Sequence, residues 1–311
     1  MCIIADNVKE VSNTKIVSFQ TAYTLDGGQT VIPAQLVIYS ANINSDVNSN
    51  ALILPIYNPG NDYQTIIPLD LSDLPDIITN ISNKFNTWFP TREKLLWSQS
   101  DSFSENSYSA NLQVFTVGDY KFSIMPSKLD FNRLDRTQLH INAASKVAID
   151  VHSMDYSFIV YQFFQRGKLE VTPFGYICQS YGTNSMIIPT VHGHPHDNFT
   201  STLGGSPLPS VYVNYKSDFE NESSFDHEIY AVVKSPEPIE NVTKSDVVDL
   251  DRIIRKIKTD YMKRNIRIYM PNNIIPKKIT LSGVKPNRNL YVGLDGDRFV
   301  QDLTLDGSNT Q

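Results

Sequence analysis

The stretch "TKIVSFQTAYTLDGGQTVIPAQLVIYS" at residues 14–40 holds the clearest strand pattern of the chain. Two runs rich in β-branched and aromatic residues, 14–23 and 29–40, flank "LDGG" at 25–28. Such side chains suit a half-buried pleated surface. Glycine after aspartate reaches the positive φ angles that a tight turn needs. The stretch therefore predicts an antiparallel β-hairpin.

Shorter runs of the same character recur along the chain. The pattern predicts a strand at 51–57, a hairpin that joins 112–117 to 120–125, and another that joins 156–164 to 169–178 across "QRGK". Further on, "NIRIYM", "KKITLSG" and "NLYVGL" predict three more short strands. β-Strands therefore dominate the predicted fold.

Two segments have the apolar spacing of an amphipathic helix instead. The first spans 74–88, with Ser72 as a cap and Pro75 in the first turn. The second spans 246–264, with Ser245 as a cap and acidic residues near its start, as the helix dipole favours. A third segment, 143–151, has a weaker helical pattern.

These patterns together predict the fold class. We expect a β-rich α+β protein built of antiparallel hairpins and sheets, with two principal amphipathic helices. No composition shift marks an internal boundary, so we expect a single domain over residues 1–303 and a frayed tail at 304–311.

The bulk composition excludes several classes of protein. The net charge of −6 gives no general attraction to nucleic acid or to anionic membranes. No apolar run approaches the roughly 20 residues that span a bilayer. The first residues lack a basic region followed by an apolar stretch, so we expect no signal peptide. Two cysteines far apart, Cys2 and Cys178, favour reduced thiols. We therefore expect a soluble cytoplasmic protein without a membrane or nucleic-acid partner.

Four of the six histidines lie in two short stretches, "MIIPTVHGHPH" at 186–196 and "FDHEIYAVV" at 225–233. Side chains alternate between the two faces of a strand. If both stretches are extended, His192, His194 and His227 fall on the apolar faces, where a core is expected. They converge on one point if the two strands are neighbours.

Three neutral imidazoles on rigid strands would bind a divalent transition metal, zinc or iron, with one position open for water or substrate. His196 or Asp197 would supply a fourth donor or an outer contact. However, Gly193 and Pro195 interrupt the first stretch, and proline lacks the N–H of a central strand. The alternative interpretation is an exposed histidine loop, with His227 as a hydrogen-bonded core residue.

Cys2 indicates a different chemistry. Removal of Met1 would leave the Cys2 thiol beside a free α-amine, which can act as the base for its own nucleophile, as in N-terminal amide hydrolases. The alternative is a small residue at the start of a first strand, "CIIA". Cys178 ends an apolar run, so we expect its thiol to be buried and inert.

Six short motifs are spread over most of the first 233 residues: "MCII" with "VSNTKI", "ALILP", "IMPSKLDFNRLD", "YSFIVYQF", "IIPTVHGH" and "FDHEIY". Together they resemble an uncharacterised protein family found in bacteria and in large DNA viruses. The resemblance implies that the Cys2 and histidine segments belong to one type of protein. It also implies a location in a virion or in the host cytoplasm, and it implies no activity, cofactor or catalytic residue.

The sequence leaves three hypotheses. The first is a soluble protein with an inward-facing site of His192, His194 and His227 for a divalent transition metal. The second is a non-catalytic structural or interaction protein, associated with a virion, a protein partner or a second copy, whose histidines only pack or fill a loop. The third is an amide hydrolase that uses Cys2.

Overall fold

Strands make up most of the chain that the structure describes. The structure is a computed structural model, and it describes residues 3–6, 8–24, 30–59, 65–88, 114–117, 120–134, 139–150, 152–181, 185–191, 222–235, 266–269, 271, 273–286 and 289–300. The strands are β1 (Ile3–Ile4), β2 (Val8–Thr24), β3 (Ile32–Ser45), β4 (Asn50–Tyr57), β5 (Ile67–Leu69), β6 (Val114–Val117), β7 (Tyr120–Met125), β8 (Tyr156–Phe163), β9 (Gly167–Glu170), β10 (Phe174–Gln179), β11 (Ser185–Ile188), β12 (Glu222–Lys234), β13 (Arg267–Tyr269), β14 (Ile274–Pro286), β15 (Asn289–Gly293) and β16 (Gly296–Val300). The helices are α1 (Ile77–Trp88), α2 (Ala143–Asp150) and a 3-10 helix at Lys128–Arg133.

These strands form three sheets, which we number 1 to 3. Sheet 1 has the order β1-β4-β8-β7-β6, sheet 2 the order β14-β12-β2-β3-β10-β5, and sheet 3 the order β11-β15-β16. β13 also pairs with β2, and β9 with β3. Between described strands, the pairing of β12 with β2 is parallel and the other pairings are antiparallel. The fold is therefore β-rich, as predicted, with one mixed sheet.

The hairpin predicted at 14–40 is confirmed as the centre of sheet 2. β2 pairs antiparallel with β3 from Tyr23 opposite Ile32 to Val8 opposite Ser45. The smaller hairpin predicted near 112–125 is confirmed by the pairing of β6 with β7. Both hairpins follow from local turn signals between strand-forming runs.

Each face of sheet 2 buries its apolar residues, against different parts of the molecule. On one face, residues such as Ile16 and Val37 belong to an apolar cluster, core 1, which joins sheet 2 to sheets 1 and 3. On the other face, residues such as Val17 and Leu36 belong to a second cluster, core 2, which joins sheet 2 to α1. Sheet 2 is therefore the middle layer of the described structure.

The first predicted amphipathic helix is confirmed as α1. Its apolar stripe lies in core 2, and Phe85 packs edge-on against Tyr230 of β12 with ring centroids 5.3 Å apart. Ser82, also on the buried side of α1, lies within hydrogen-bonding distance of the Tyr230 hydroxyl, at 2.8 Å. The Tyr230 hydroxyl also donates to Oε2 of Glu228 at 2.7 Å, so this buried polar group has two partners.

The prediction of two principal helices is confirmed for α1 only. The second predicted helix, 246–264, and the predicted tail, 304–311, lie outside the described residues. α2 lies at the weaker helical pattern of 143–151. Among the described residues, no helix is both long and apolar enough to cross a membrane. The single domain over 1–303 stays a prediction.

The hairpin predicted to join 156–164 to 169–178 is wrong. β8 pairs with β4 and β7 in sheet 1, whereas β9 and β10 pair with β3 in sheet 2. Residues 164–166 are exposed and lead from one sheet to the other, and Gly167 follows with a φ of 90°. "QRGK" has the composition of a turn, but β8 lies between β4 and β7 in sheet 1, so neither of its edges is open to pair with the strand that follows.

Several side chains fasten sheet 3 to sheet 2, among them the buried Gln35. Gln35 of β3 donates from Nε2 to the carbonyl oxygen of Ile187 in β11, at 2.9 Å, and its Oε1 accepts from the Ile187 N–H at 3.2 Å. The side-chain amide thus takes the place of a neighbouring strand. Because Gln35 is only 5% exposed, water does not replace this contact easily.

We predict that Gln35→Leu lowers the free energy of unfolding by about 2–4 kcal/mol, because two buried backbone groups of Ile187 lose their partner. Denaturant unfolding measures the change, and faster amide hydrogen exchange at 185–188 locates it. The matched control is Gln179→Leu, at a half-buried glutamine that ends β10. The control should change stability by less than about 0.5 kcal/mol. Equal effects of the two substitutions would contradict the role of Gln35.

Candidate functional site

A polar cleft of about 610 Å³ lies on the α1 side of sheet 2. Its floor consists of side chains from β2, β3 and β9. Its walls are the start of α1 with the residue before it, at Thr79 and Asp76, and the segments on either side of β9, 163–165 and 171–173. The cleft therefore lies where three separate parts of the chain meet.

The strand register arranges the floor of the cleft in cross-strand rows, and we call these side chains the polar floor. Each row runs from β2 through β3, and two rows continue to β9. The rows are Glu10, Asn44 and Lys168; Ser12, Asn42 and Glu170; and Lys15 and Ser40.

The polar floor continues the same sheet face that α1 covers. Lys15 is followed on this face by Val17 of core 2, and Ser40 is preceded on it by Ile38 of core 2. α1 begins at Ile77 and covers the apolar part, so the polar part remains accessible. Glu10, Lys168 and Glu170 are exposed, and the other floor residues are half-buried.

A bulge in β2 places these residues on one face. Ser12 lies opposite Asn42 and Lys15 lies opposite Ser40, so β2 has one more residue than β3 between the two rows. Asn13 takes a φ of 51°, a left-handed conformation that asparagine tolerates better than most residues. Its N–H donates to Oδ2 of Asp226 at 2.9 Å. The bulge restores the alternation that brings Ser12 and Lys15 to the same side.

The side chains of the polar floor have unused hydrogen-bonding capacity. Within the described part of the chain, none of the eight takes part in a hydrogen bond or an ion pair. Their carboxylates, ammonium groups, amides and hydroxyls supply both donors and acceptors. The cleft can therefore bind a polar ligand without first breaking internal side-chain bonds.

His227 is the one predicted metal ligand that the structure describes. It lies in β12 between Thr14 of β2 and Leu281 of β14, and it is 3% exposed. Its Nδ1 accepts from the backbone N–H of Asp226 at 3.2 Å, and its ring lies 5.2 Å from that of Phe225. Among the described residues, no group of three or more His, Cys, Asp or Glu side chains is placed to hold a metal ion.

His192 and His194, together with His196 and Asp197, lie outside the described residues. The strand before them, β11, ends at Ile188 and pairs with β15 in sheet 3, so it is not a hydrogen-bonded neighbour of β12. Even so, Met186 and Val191 share core 1 with Phe225 and Ile229. The two histidine stretches therefore approach one core from different sheets.

The two cysteines differ in what the structure describes. Cys2 lies outside the described residues, next to the buried β1. Cys178 of β10 is 1% exposed, which confirms its predicted burial. Burial raises the pKa of its thiol to about 12, although a hydrogen bond with Gln35 acts in the opposite direction. A neutral buried thiol is a poor nucleophile.

Sequence analysis did not identify the polar floor, although one signal was present. "SANINS" at 40–45 alternates polar residues at 40, 42 and 44 with apolar residues at 41 and 43. Ala41 and Ile43 do lie in core 1. The alternation indicates a strand with one face exposed to solvent, but only the sheet order shows that β2 and β9 extend that face.

Comparison with known proteins gives one group of structural likenesses. No family model matches this sequence. The chain is similar to the crystal structure of baculovirus P35, with 11% identity and a TM-score of 0.41 over 94% of this chain and 99% of that chain. It is also similar to a mutated baculovirus P35 after caspase cleavage, with 12% identity and a TM-score of 0.39 over 91% of this chain and 99% of that chain. A third likeness is to a caspase-8/P35 complex, with 13% identity and a TM-score of 0.37 over 92% of this chain and 92% of that chain. These TM-scores are too low to support an inference about this chain.

We predict that native protein protects Cys178 from iodoacetamide at about pH 8. A pKa of about 12 leaves about one thiol in ten thousand as thiolate at that pH, and burial blocks access as well. Peptide mass spectrometry after a short labelling pulse measures the modified fraction. The control is the same pulse in guanidinium, where the pKa returns to about 8.5. Equal labelling of native and unfolded protein would show that Cys178 is accessible.

Proposed function

We propose that this chain is a non-catalytic interaction protein that binds an extended segment of a protein partner above the polar floor. The observation that carries the proposal is the set of eight polar side chains, on three adjacent strands, with hydrogen-bonding capacity unused within the described residues. The partner would supply the missing donors and acceptors.

The chemistry of the floor suits a polypeptide. Each peptide unit presents one N–H donor and one C=O acceptor. Asn42 and Asn44, at the centre of the floor, each offer an amide that donates and accepts, and the hydroxyls of Ser12 and Ser40 do the same. These groups can pair with a peptide backbone regardless of its side chains.

The size and rigidity of the cleft also favour binding. A volume of about 610 Å³ is in the usual range of ligand sites. The floor lies on strands whose opposite face is packed in core 1, where Ala41 and Ile43 hold β3 in place. A site that is already ordered loses less conformational entropy when it binds.

The lining also argues against other functions. Three acidic residues (Glu10, Asp76 and Glu170) and two basic residues (Lys15 and Lys168) give a formal charge of −1, which does not attract nucleic acid. The described lining includes neither histidine nor cysteine, the side chains most often used as base or nucleophile near neutral pH. A binding function therefore fits the cleft better than a catalytic one.

We predict that a random-peptide phage library selected on the full-length protein yields peptides that bind the cleft. A synthetic copy of the most enriched peptide should slow amide exchange at residues 40–44 and 168–170. Asn42→Ala combined with Asn44→Ala should weaken its binding at least about tenfold by calorimetry, since hydrogen bonds worth about 1.4 kcal/mol or more are lost.

The control for this experiment is Thr280→Ala combined with Ser282→Ala, which removes two exposed polar side chains from β14, outside the cleft. The control should bind the peptide as the wild type does. Failure of the library to yield a binder, or protection confined to another surface, would contradict the proposed function.

A metal site of His192, His194 and His227 is the second candidate function. The observation in its favour is that Val191, directly before His192, shares core 1 with Phe225 and Ile229, which flank His227 on its strand face. A divalent transition metal such as zinc or iron would bind neutral imidazole nitrogens at this position.

We predict that, if this site forms, untagged protein purified without chelator has a native mass that exceeds its denatured mass by one metal ion. His192→Ala and His227→Ala should each abolish the difference, because each removes a ligand. His140→Ala is the matched control, since this side chain is 70% exposed and lies 3.3 Å from Asp6, which is not among the proposed ligands. Identical native and denatured masses of the wild type would contradict a metal site.

A further inference from the structure

The charged residues of the polar floor follow a regular arrangement. Each outer strand carries one acid and one base: Glu10 and Lys15 on β2, and Lys168 and Glu170 on β9. The central strand, β3, contributes only uncharged side chains to the floor. The charges are therefore held apart at the two sides of the cleft.

One cross-strand row has opposite charges at its two ends. Glu10 and Lys168 both lie opposite Asn44, on either side of it. Neighbouring strands are about 4.8 Å apart, so about 10 Å separates the backbones that carry these two charges. Within the described residues the ion pairs lie elsewhere, and neither Glu10 nor Lys168 takes part in one.

This arrangement selects for a ligand that carries both signs of charge. A cleft of one sign would concentrate any ion of the opposite sign. Here an acidic ligand would be attracted to Lys168 and repelled by Glu10. A basic ligand would be attracted to Glu10 and repelled by Lys168. A segment with a basic side chain at one end and an acidic side chain at the other satisfies both charges of this row, and along this row it does so in one orientation only.

We propose that the partner segment crosses the three strands with a basic side chain at Glu10 and an acidic side chain at Lys168, and that this row fixes its direction. An extended chain advances about 3.3 Å per residue, so the two charged residues are about two to four positions apart. The backbone between them lies over Asn44, and Asn42 lies beside it in the next row. This inference rests on the proposed function, of which it specifies the ligand.

The test uses charge reversal with a peptide selected on the wild-type protein. Glu10→Lys alone and Lys168→Glu alone should each weaken binding of that peptide at least about tenfold, because each places like charges together. The double variant should bind a second peptide, in which the basic and acidic residues are exchanged, within about threefold of the wild-type affinity for the original. Raising the salt concentration should weaken binding of the original peptide to the wild type and of the exchanged peptide to the double variant, since exposed charges are screened.

The chain offers a control pair next to the floor. Lys9 and Asp46 form an exposed ion pair of 3.0 Å, and neither residue lines the cleft. Lys9→Glu combined with Asp46→Lys reverses this acid–base pair without changing the floor itself. This control should bind the original peptide with unchanged affinity.

The outcomes separate the inference from the proposed function. Selected peptides that protect the floor but lack an acidic–basic pair would overturn the inference and leave the proposed function standing. The inference alone also fails if the double variant does not bind the exchanged peptide while hydrogen exchange shows the variant to be folded. Selected peptides that leave residues 40–44 and 168–170 unprotected would overturn both.

Discussion

Burial of both faces of the β2–β3 hairpin is the constraint on which the rest of the structure depends. A single sheet face can be covered by one layer, but this hairpin needs apolar partners on two sides. Val37 and Tyr39 face core 1, where sheets 1 and 3 pack, while Leu36 and Ile38 face core 2, where α1 packs. Because hydrophobic burial is the largest favourable term in folding, the positions of the other elements follow from it.

Buried polar side chains then fix the backbone within the sheets and, at Gln35, the contact between two of them. Gln35 pairs with Ile187 to hold sheet 3, and Asn289 of β15 accepts from the N–H of Thr190 at 3.1 Å. Asn50 accepts from the N–H of Asp6 at 2.8 Å and so orients the chain after β1. Each of these amides pairs with backbone groups at the free edge of a strand or just beyond its end. Apolar contacts alone would allow the layers to slide, whereas these hydrogen bonds allow one arrangement.

The candidate site arises where this layered packing stops. α1 covers only the apolar part of its sheet face, and the bulge at Asn13 keeps the residues beyond it on the same side. The alternation in residues 40–45 indicates the β3 part of this site from sequence. The contribution of Lys168 cannot be obtained in that way, because "QRGK" was expected to be the turn of a hairpin between 156–164 and 169–178, whereas Lys168 lies in β9 and pairs with β3.

The sequence by itself determined the elements whose signals are local: the β2–β3 and β6–β7 hairpins, the apolar stripe of α1, and the burial of Cys178. Turn residues and side-chain periodicity act over a few residues, so they can be read without knowing the fold. Only the tertiary structure decided which strands are neighbours. β12 pairs in parallel with β2, although the paired residues are more than 200 positions apart in the chain. β8 and β9, which are close in sequence, lie in different sheets. Strand pairing depends on how much apolar surface each alternative buries, and that quantity is a property of the whole chain.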